Sequence, residues 1–231
     1  MDKNHIKVVA FDLGYTLVYN TREQQYMNYL QAKKSEASVE EVTRAYHLTD
    51  KTFMRHYQGM LGHPPHYFLP WYLGLVNHQL GKRFDLIEQT NYFLEQTDRS
   101  SYWQCFPWSR QVLESLKDKG YKIALLSNWD SSCRELLKEL ELHDYFDHIL
   151  ISSEVGIEKP EQRIFQLLLE QSGCQPEEII YVGDNYYDDV IGSRKAGIET
   201  ILINRFDNIG IEEINDCRII GSTQELLALL S

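Results

Sequence analysis

From Phe106 onward the chain alternates short apolar runs with longer stretches of helical spacing, and few folds accept that order. Lys122-Ile123-Ala124-Leu125-Leu126 reads as a buried strand ending at Ser127-Asn128. Further strands are predicted over 148–152, over 179–183 with Asp184 at the end, over 200–203 and near 218–220. Helices are expected between them, over about 109–119, 130–142 and 160–172, and then through Ala196-Gly197. Pro160 suits the first turn of its helix, and Ser222-x-x-Glu225 reads as a capping box for a leucine-rich last helix. Strands and helices alternating at these lengths predict right-handed βαβ crossovers, hence an α/β fold with a Rossmann-like parallel-sheet core.

The N-terminus supplies one more strand. Val8-Val9-Ala10-Phe11 is a short apolar run that ends in Asp12, with Gly14 and Thr16 close behind. In an open parallel sheet, ligands bind just beyond the carboxyl ends of the strands, which is where Asp12 falls. Taken alone, Asp12 could simply terminate its strand. Between this run and the rest of the sheet, residues 19–101 carry no strand signal and read as an inserted all-helical domain. Its helices are expected from the Thr21-Arg22-Glu23-Gln24 box, from Ser38 past Tyr57, from about 66 to 80, and from about 85 to 96. Aromatics such as Tyr57, Trp71, Tyr72, Tyr92 and Phe93 are expected to pack between those helices. The core then comprises 1–18 and 102–231, joined to the insert by hinges near 18–21 and 100–106.

Composition narrows the function. The chain has 231 residues, 43% of them hydrophobic, enough for a packed core. Its net charge of −11 repels polyanions, which argues against nucleic acid or an anionic membrane as partner. The four cysteines are scattered without a C-x-x-C, as expected of reduced thiols and not of a zinc site. No apolar run approaches the length of a membrane span, and no signal peptide is expected ahead of the first strand. A cytoplasmic location is the expectation. Oligomeric state is not legible.

Three strands thus end in Asp12, Ser127 and Asp184, with Lys159 expected at the start of a helix beside them. This set suits phosphoryl transfer. A carboxylate can attack phosphorus, a metal ion can neutralise charge between carboxylates and phosphate, and a hydroxyl and an ammonium can hold phosphate oxygens.

At these residues the chain resembles the haloacid dehalogenase superfamily of hydrolases. Its first motif resembles Phe11-Asp12-Leu13-Gly14-Tyr15-Thr16-Leu17, its second Leu126-Ser127-Asn128 and its third Lys159-Pro160. The fourth resembles Val182-Gly183-Asp184 through Asp188-Asp189-Val190, with Gly192 and Ala196-Gly197 following. The insert resembles the family's small helical cap, and residues 127–204 resemble a branch with animal members. The resemblance implies a magnesium-dependent phosphatase acting on a small phosphorylated metabolite through an aspartyl-phosphate. Asp12 would be nucleophile and metal ligand, with the Gly14 carbonyl and Asp184 as further ligands. Asp189 would act on the metal through water or by orienting Lys159, with Asp188 as its substitute. Ser127 and Asn128 would bind the phosphoryl group, Lys159 would stabilise its charge, and Thr16 would steady the loop after the nucleophile.

One position departs from the family pattern. Its phosphatases usually carry a second aspartate, as general acid and base, where this chain has Gly14. The implied enzyme is then weak or selective, or draws its acid from Tyr15, His56 or His66. Two alternatives stand beside it: a family member that binds without catalysis, and a haloacid dehalogenase, which needs no metal.

Overall fold

The computed structural model describes residues 5–95 and 102–230. In chain order the elements begin with β1 (Val8–Phe11), β2 (Val18–Asn20), α1 (Arg22–Ala32), α2 (Val39–His56), α3 (Leu69–Gln79) and α4 (Leu86–Glu95). Next come β3 (Trp103–Cys105), α5 (Ser109–Asp118), β4 (Lys122–Ser127), α6 (Cys133–Glu139), β5 (His148–Ile151) and α7 (Ser152–Val155). The remainder is α8 (Gln162–Ser172), β6 (Ile179–Gly183), a five-residue π-helical turn (Tyr186–Val190), α9 (Ile191–Lys195), β7 (Glu199–Ile203), β8 (Arg218–Ile220) and α10 (Gln224–Leu229).

Two compact units result: Met1–Tyr19 with Cys105–Ser231, and Asn20–Gln104. The chain passes between them along β2 and β3.

The first unit holds a six-stranded sheet in the order β5-β4-β1-β6-β7-β8, with its neighbouring strands parallel. The sheet is doubly wound about β1. Its four residues are fully buried, as expected of a central parallel strand covered on both faces. After the insert the chain lays β4 and then β5 on one side of β1, and β6, β7 and β8 on the other. The order therefore reverses at β1, and the crevice at its carboxyl end is the site such sheets offer a ligand. One face of the sheet packs Val8, Ala10, Ala124, Leu126 and Tyr181 against Ile164, Phe165 and Leu168 of α8.

The second unit, Asn20–Gln104, has its own core, in which Tyr26, Tyr29, Tyr46, Phe53, Tyr72 and Leu73 of α1, α2 and α3 meet. A buried ion pair lies within it: Arg22 donates to both oxygens of Asp50, at 2.9 and 2.5 Å, and Tyr72 donates to Asp50 at 2.6 Å. Tyr72 and Phe93 pack as expected, but Tyr57 and Trp71 are exposed at 46% and 60%. Trp71 precedes the buried pair Tyr72-Leu73 and faces away from it.

Several local expectations change. Ser38 forms its capping box with Glu41, in the extended conformation that aims a cap hydroxyl at the first turn. Thr21 does not: at φ −93°, ψ 21° it is outside that conformation, and its hydroxyl makes no cap bond. The third insert helix begins at Leu69, because Pro65–Tyr67 forms a separate 3₁₀ turn and Phe68, at φ −131°, breaks the run. The helix expected over 130–142 is shorter, from Cys133 to Glu139, with a 3₁₀ turn at His143–Tyr145. Pro160 is not in a first turn, since α8 starts at Gln162 with Glu161 at its cap. At Ser222 half of the box forms: Glu225 Oε1 accepts from the Ser222 amide at 3.2 Å, while Thr223 is the cap residue. Gln96, hinge residues 100 and 101, and Met1 to Asn4 lie outside the described residues.

No helix among the described residues is long and apolar enough to cross a membrane, and all four cysteines are free thiols.

Candidate active site

Strand register levels the polar residues at one sheet edge. Phe11 lies opposite Leu125 on β4 and Val182 on β6. Asp12, Ser127 and Asp184 therefore emerge within one residue of the same height. The Asp12 amide donates to the Val182 carbonyl at 2.9 Å, extending the pairing to the strand's last step.

Lys159 binds this edge together. Its ammonium donates to Asp12 Oδ1 at 2.8 Å, to Asp189 Oδ1 at 2.7 Å and to the Tyr181 hydroxyl at 3.0 Å. Ser127 Oγ donates to the same Asp12 Oδ1 at 3.0 Å. Among the described residues nothing donates to Asp12 Oδ2. Burial pushes the Asp12 carboxyl above the usual range against the pull of Lys159. Burial also pushes the Lys159 ammonium down, but the Asp12 and Asp189 carboxylates outweigh it and hold the group well above its ordinary value.

The Asn128 side chain is engaged with the main chain of Lys159. Its Nδ2 donates to the Lys159 carbonyl at 2.9 Å and its Oδ1 accepts from the Lys159 amide at 2.8 Å. The side chain is spent on the backbone of the lysine, so a phosphoryl group could meet only its main-chain amide. The Lys159-Pro160 peptide is cis, and these two residues lie in a turn ahead of α8.

The π turn sets the acidic residues. Asn185 caps it, its Oδ1 accepting from the amides of Tyr187 and Asp188 at 3.1 and 3.3 Å. A π turn is wider than an α turn and recurs at functional sites. Here the consecutive residues Asp188 and Asp189 are both buried. Asp189 divides its oxygens between Lys159 and the Asn185 amide, the latter at 2.9 Å. Asp188 Oδ2 accepts from Asn185 Nδ2 at 2.7 Å, and its Oδ1 is buried without a partner. Burial and the neighbouring Asp189 push the Asp188 carboxyl up to about 7.

Gly183 is required by this packing. A Cβ there would lie 2.1 Å from Asp189 Oδ2 and 2.4 Å from Asp189 Cγ.

In the loop after β1, Gly14 bridges to Val18. Tyr15 has φ 52°, and its carbonyl accepts from Arg205, whose guanidinium lies 3.9 Å over the Phe106 ring. The Thr16 hydroxyl is buried without a partner, so the residue ties the loop through its amide, 3.3 Å from the Leu13 carbonyl. His56 and His66 belong to the Asn20–Gln104 unit.

A metal ion fits these residues. Asp12, Asp184 and Asp189 offer carboxylate oxygens within 4.8 Å of one another. Four carboxylates gather here, counting Asp188, against Lys159 and Arg205. That gathering of carboxylate oxygens, with Asp12 Oδ2 lacking a donor, suits a hard divalent cation.

Sequence reasoning did not single out Tyr181, Asn185 or Arg205. A lone tyrosine inside the apolar run 179–183 was the available signal, because a buried hydroxyl needs a partner.

The chain belongs to the haloacid dehalogenase-like hydrolases, whose family profile matches residues 9–203. A glyceraldehyde 3-phosphate phosphatase of Methanothermobacter thermautotrophicus is 40% identical over 100 residues, 43% of this chain and 44% of that one. The haloacid dehalogenase-like hydrolase domain-containing protein 3 of Xenopus laevis is 32% identical over 102 residues, 44% of this chain and 42% of that one. The chain thus spans less than half the length of these curated relatives. The crystal structure of a haloacid dehalogenase-type phosphatase from Thermococcus onnurineus is 25% identical with a TM-score of 0.61, covering 98% of each chain.

Proposed function

We propose that this protein is a magnesium-dependent phosphatase that hydrolyses a small phosphorylated metabolite through an aspartyl-phosphate on Asp12. The observation that carries this reading is the convergence of Ser127 and Lys159 on one oxygen of Asp12 at the sheet's switch point, beside Asp184. The phosphatase named among the relatives supports phosphate esters as the substrate class.

Asp12 attacks phosphorus, an Asp12–phosphorus bond forms, and the bond to the leaving oxygen breaks. Water then attacks phosphorus and releases orthophosphate and the free carboxylate. Magnesium, held by Asp12, the Gly14 carbonyl and Asp184, would supply positive charge between nucleophile and phosphoryl group. The Ser127 hydroxyl and the Asn128 amide receive phosphoryl oxygens, while Lys159 aims Asp12 and favours its ionised form. Asp189 serves by orienting Lys159. The Asn20–Gln104 unit serves as the cap that selects substrate and excludes water.

Gly14 offers no acid for the leaving oxygen, so phosphates with good leaving groups react best. Gly14 is also the observation that favours a second reading, a family member that binds without turning over. Gly183-Asp184 argues against a metal-independent dehalogenase.

The test is hydrolysis of p-nitrophenyl phosphate and acetyl phosphate with magnesium or EDTA, in wild type and Asp12→Asn. Phosphate release that requires magnesium and disappears in the variant is expected. A folded, magnesium-binding protein that releases none from either compound would overturn the enzyme reading in favour of the binder.

A further inference from the structure

We propose that Tyr181 is a positioning residue that takes the third proton of the Lys159 ammonium and so fixes the direction of the other two. A tyrosine hydroxyl has one proton to give. Tyr181 gives it to the Leu126 carbonyl, at 2.7 Å. Toward Lys159, 3.0 Å away, the same oxygen must therefore be an acceptor. An ammonium has three protons, and Asp12 and Asp189 take the other two. The lysine is saturated, with no proton unassigned and no rotation about its last bond left free.

Tyr181 is held as firmly as what it holds. It sits in the middle of β6, fully buried, and its ring meets Phe165 of α8 edge-on at 5.4 Å. Its hydroxyl bonds the main chain of β4 at Leu126, one residue before Ser127. One side chain thus links the strand that bears the phosphate-facing serine to the lysine that aims the nucleophile. Without the hydroxyl, the ammonium can swing about its last bond, and its lines to Asp12 and Asp189 are no longer both enforced.

The test uses Tyr181→Phe, which keeps the ring and removes one oxygen. Its first readout is the proton–nitrogen spectrum of protein labelled with ¹⁵N-lysine. A buried, three-acceptor ammonium should give a slowly exchanging cross-peak, identified as Lys159 by its loss in Lys159→Arg. In Tyr181→Phe the peak should vanish or exchange at least tenfold faster. An unchanged peak, or no such peak in wild type, overturns the inference. The second readout rests on the phosphatase reading: with acetyl phosphate and saturating magnesium, kcat should fall about tenfold with KM within about threefold. An unchanged kcat accompanied by a lower melting temperature would mean that Tyr181 only packs, and would also overturn it. If wild type hydrolyses nothing, the phosphatase reading fails and the spectrum alone decides the role of Tyr181.

Discussion

Asn128 and Lys159 grip each other through two hydrogen bonds, side-chain amide to main chain, at 2.9 and 2.8 Å. The pair joins the end of β4 to the turn before α8. It holds the main chain that carries the Lys159 ammonium.

Asn128→Ala removes both bonds and loosens the main chain that carries the lysine. A displacement of about 1 Å at a reacting group can cost on the order of 10²-fold. We expect kcat to fall roughly 10- to 100-fold, with a stability loss of about 1–3 kcal/mol for the freed buried groups. Steady-state kinetics and urea denaturation of the same preparation check both.

Gly183→Ala forces a methyl group into the Asp189 carboxylate, 2.1 Å from Oδ2. Asp189 is fully buried and bonded on both oxygens, so it has nowhere to yield without releasing Lys159. Overpacking of this kind costs about 1–3 kcal/mol. Activity should drop more than it does in a surface control, and a variant with wild-type rate and melting temperature would contradict the packing described.

Asp188 gives the chain a pH dependence. Its carboxyl keeps its proton to about 7 in the folded protein, against an ordinary value of 3.8. Between those values the native state binds more protons than the unfolded chain. Stability from this group is therefore greatest at low pH, falls as pH rises to about 7, and levels off above. The full effect is up to about 4 kcal/mol. Asp188→Asn keeps an acceptor for Asn185 and removes the titration. In EDTA, urea unfolding at pH 5 and pH 8 should show the variant gaining on wild type at the higher pH.

Gly14→Asp tests the missing acid. Gly14 is not among the glycines at positive φ, so its backbone accepts a side chain. If the phosphatase reading holds, the added carboxyl should speed hydrolysis of alkyl phosphates by up to about 10²-fold and leave acetyl phosphate nearly unchanged. Equal rates across a series of leaving groups in wild type would remove the reason for the experiment.

The sequence was informative wherever structure is local. The runs that became β4, β6 and β8 were legible almost to the residue, because an apolar run bounded by polar and turn residues has few other conformations. Ser38 capped its helix for the same reason. Thr21 and Pro160 misled because a capping pattern or a proline states only what a turn permits, and the neighbouring chain chose otherwise. The π turn at Tyr186–Val190, which buries Asp188, Asp189 and Val190, left no signal in the sequence.

What the sequence determined by itself was the α/β class, the helical character of the insert, and the inventory of Asp12, Ser127, Lys159 and Asp184 at strand and loop ends. These follow from patterns a few residues long. Tertiary structure alone decided the strand order about β1 and the partners of each group. Ser127 lies 115 residues from Asp12, Lys159 lies 147 residues from it, and Asn128 lies 31 from Lys159. Contacts at such separations exist only after strand register is fixed, and register is a property of the packed sheet. The same packing set the Asn128 side chain against the Lys159 main chain, and brought Tyr181, an ordinary strand residue in the sequence, to the Lys159 ammonium.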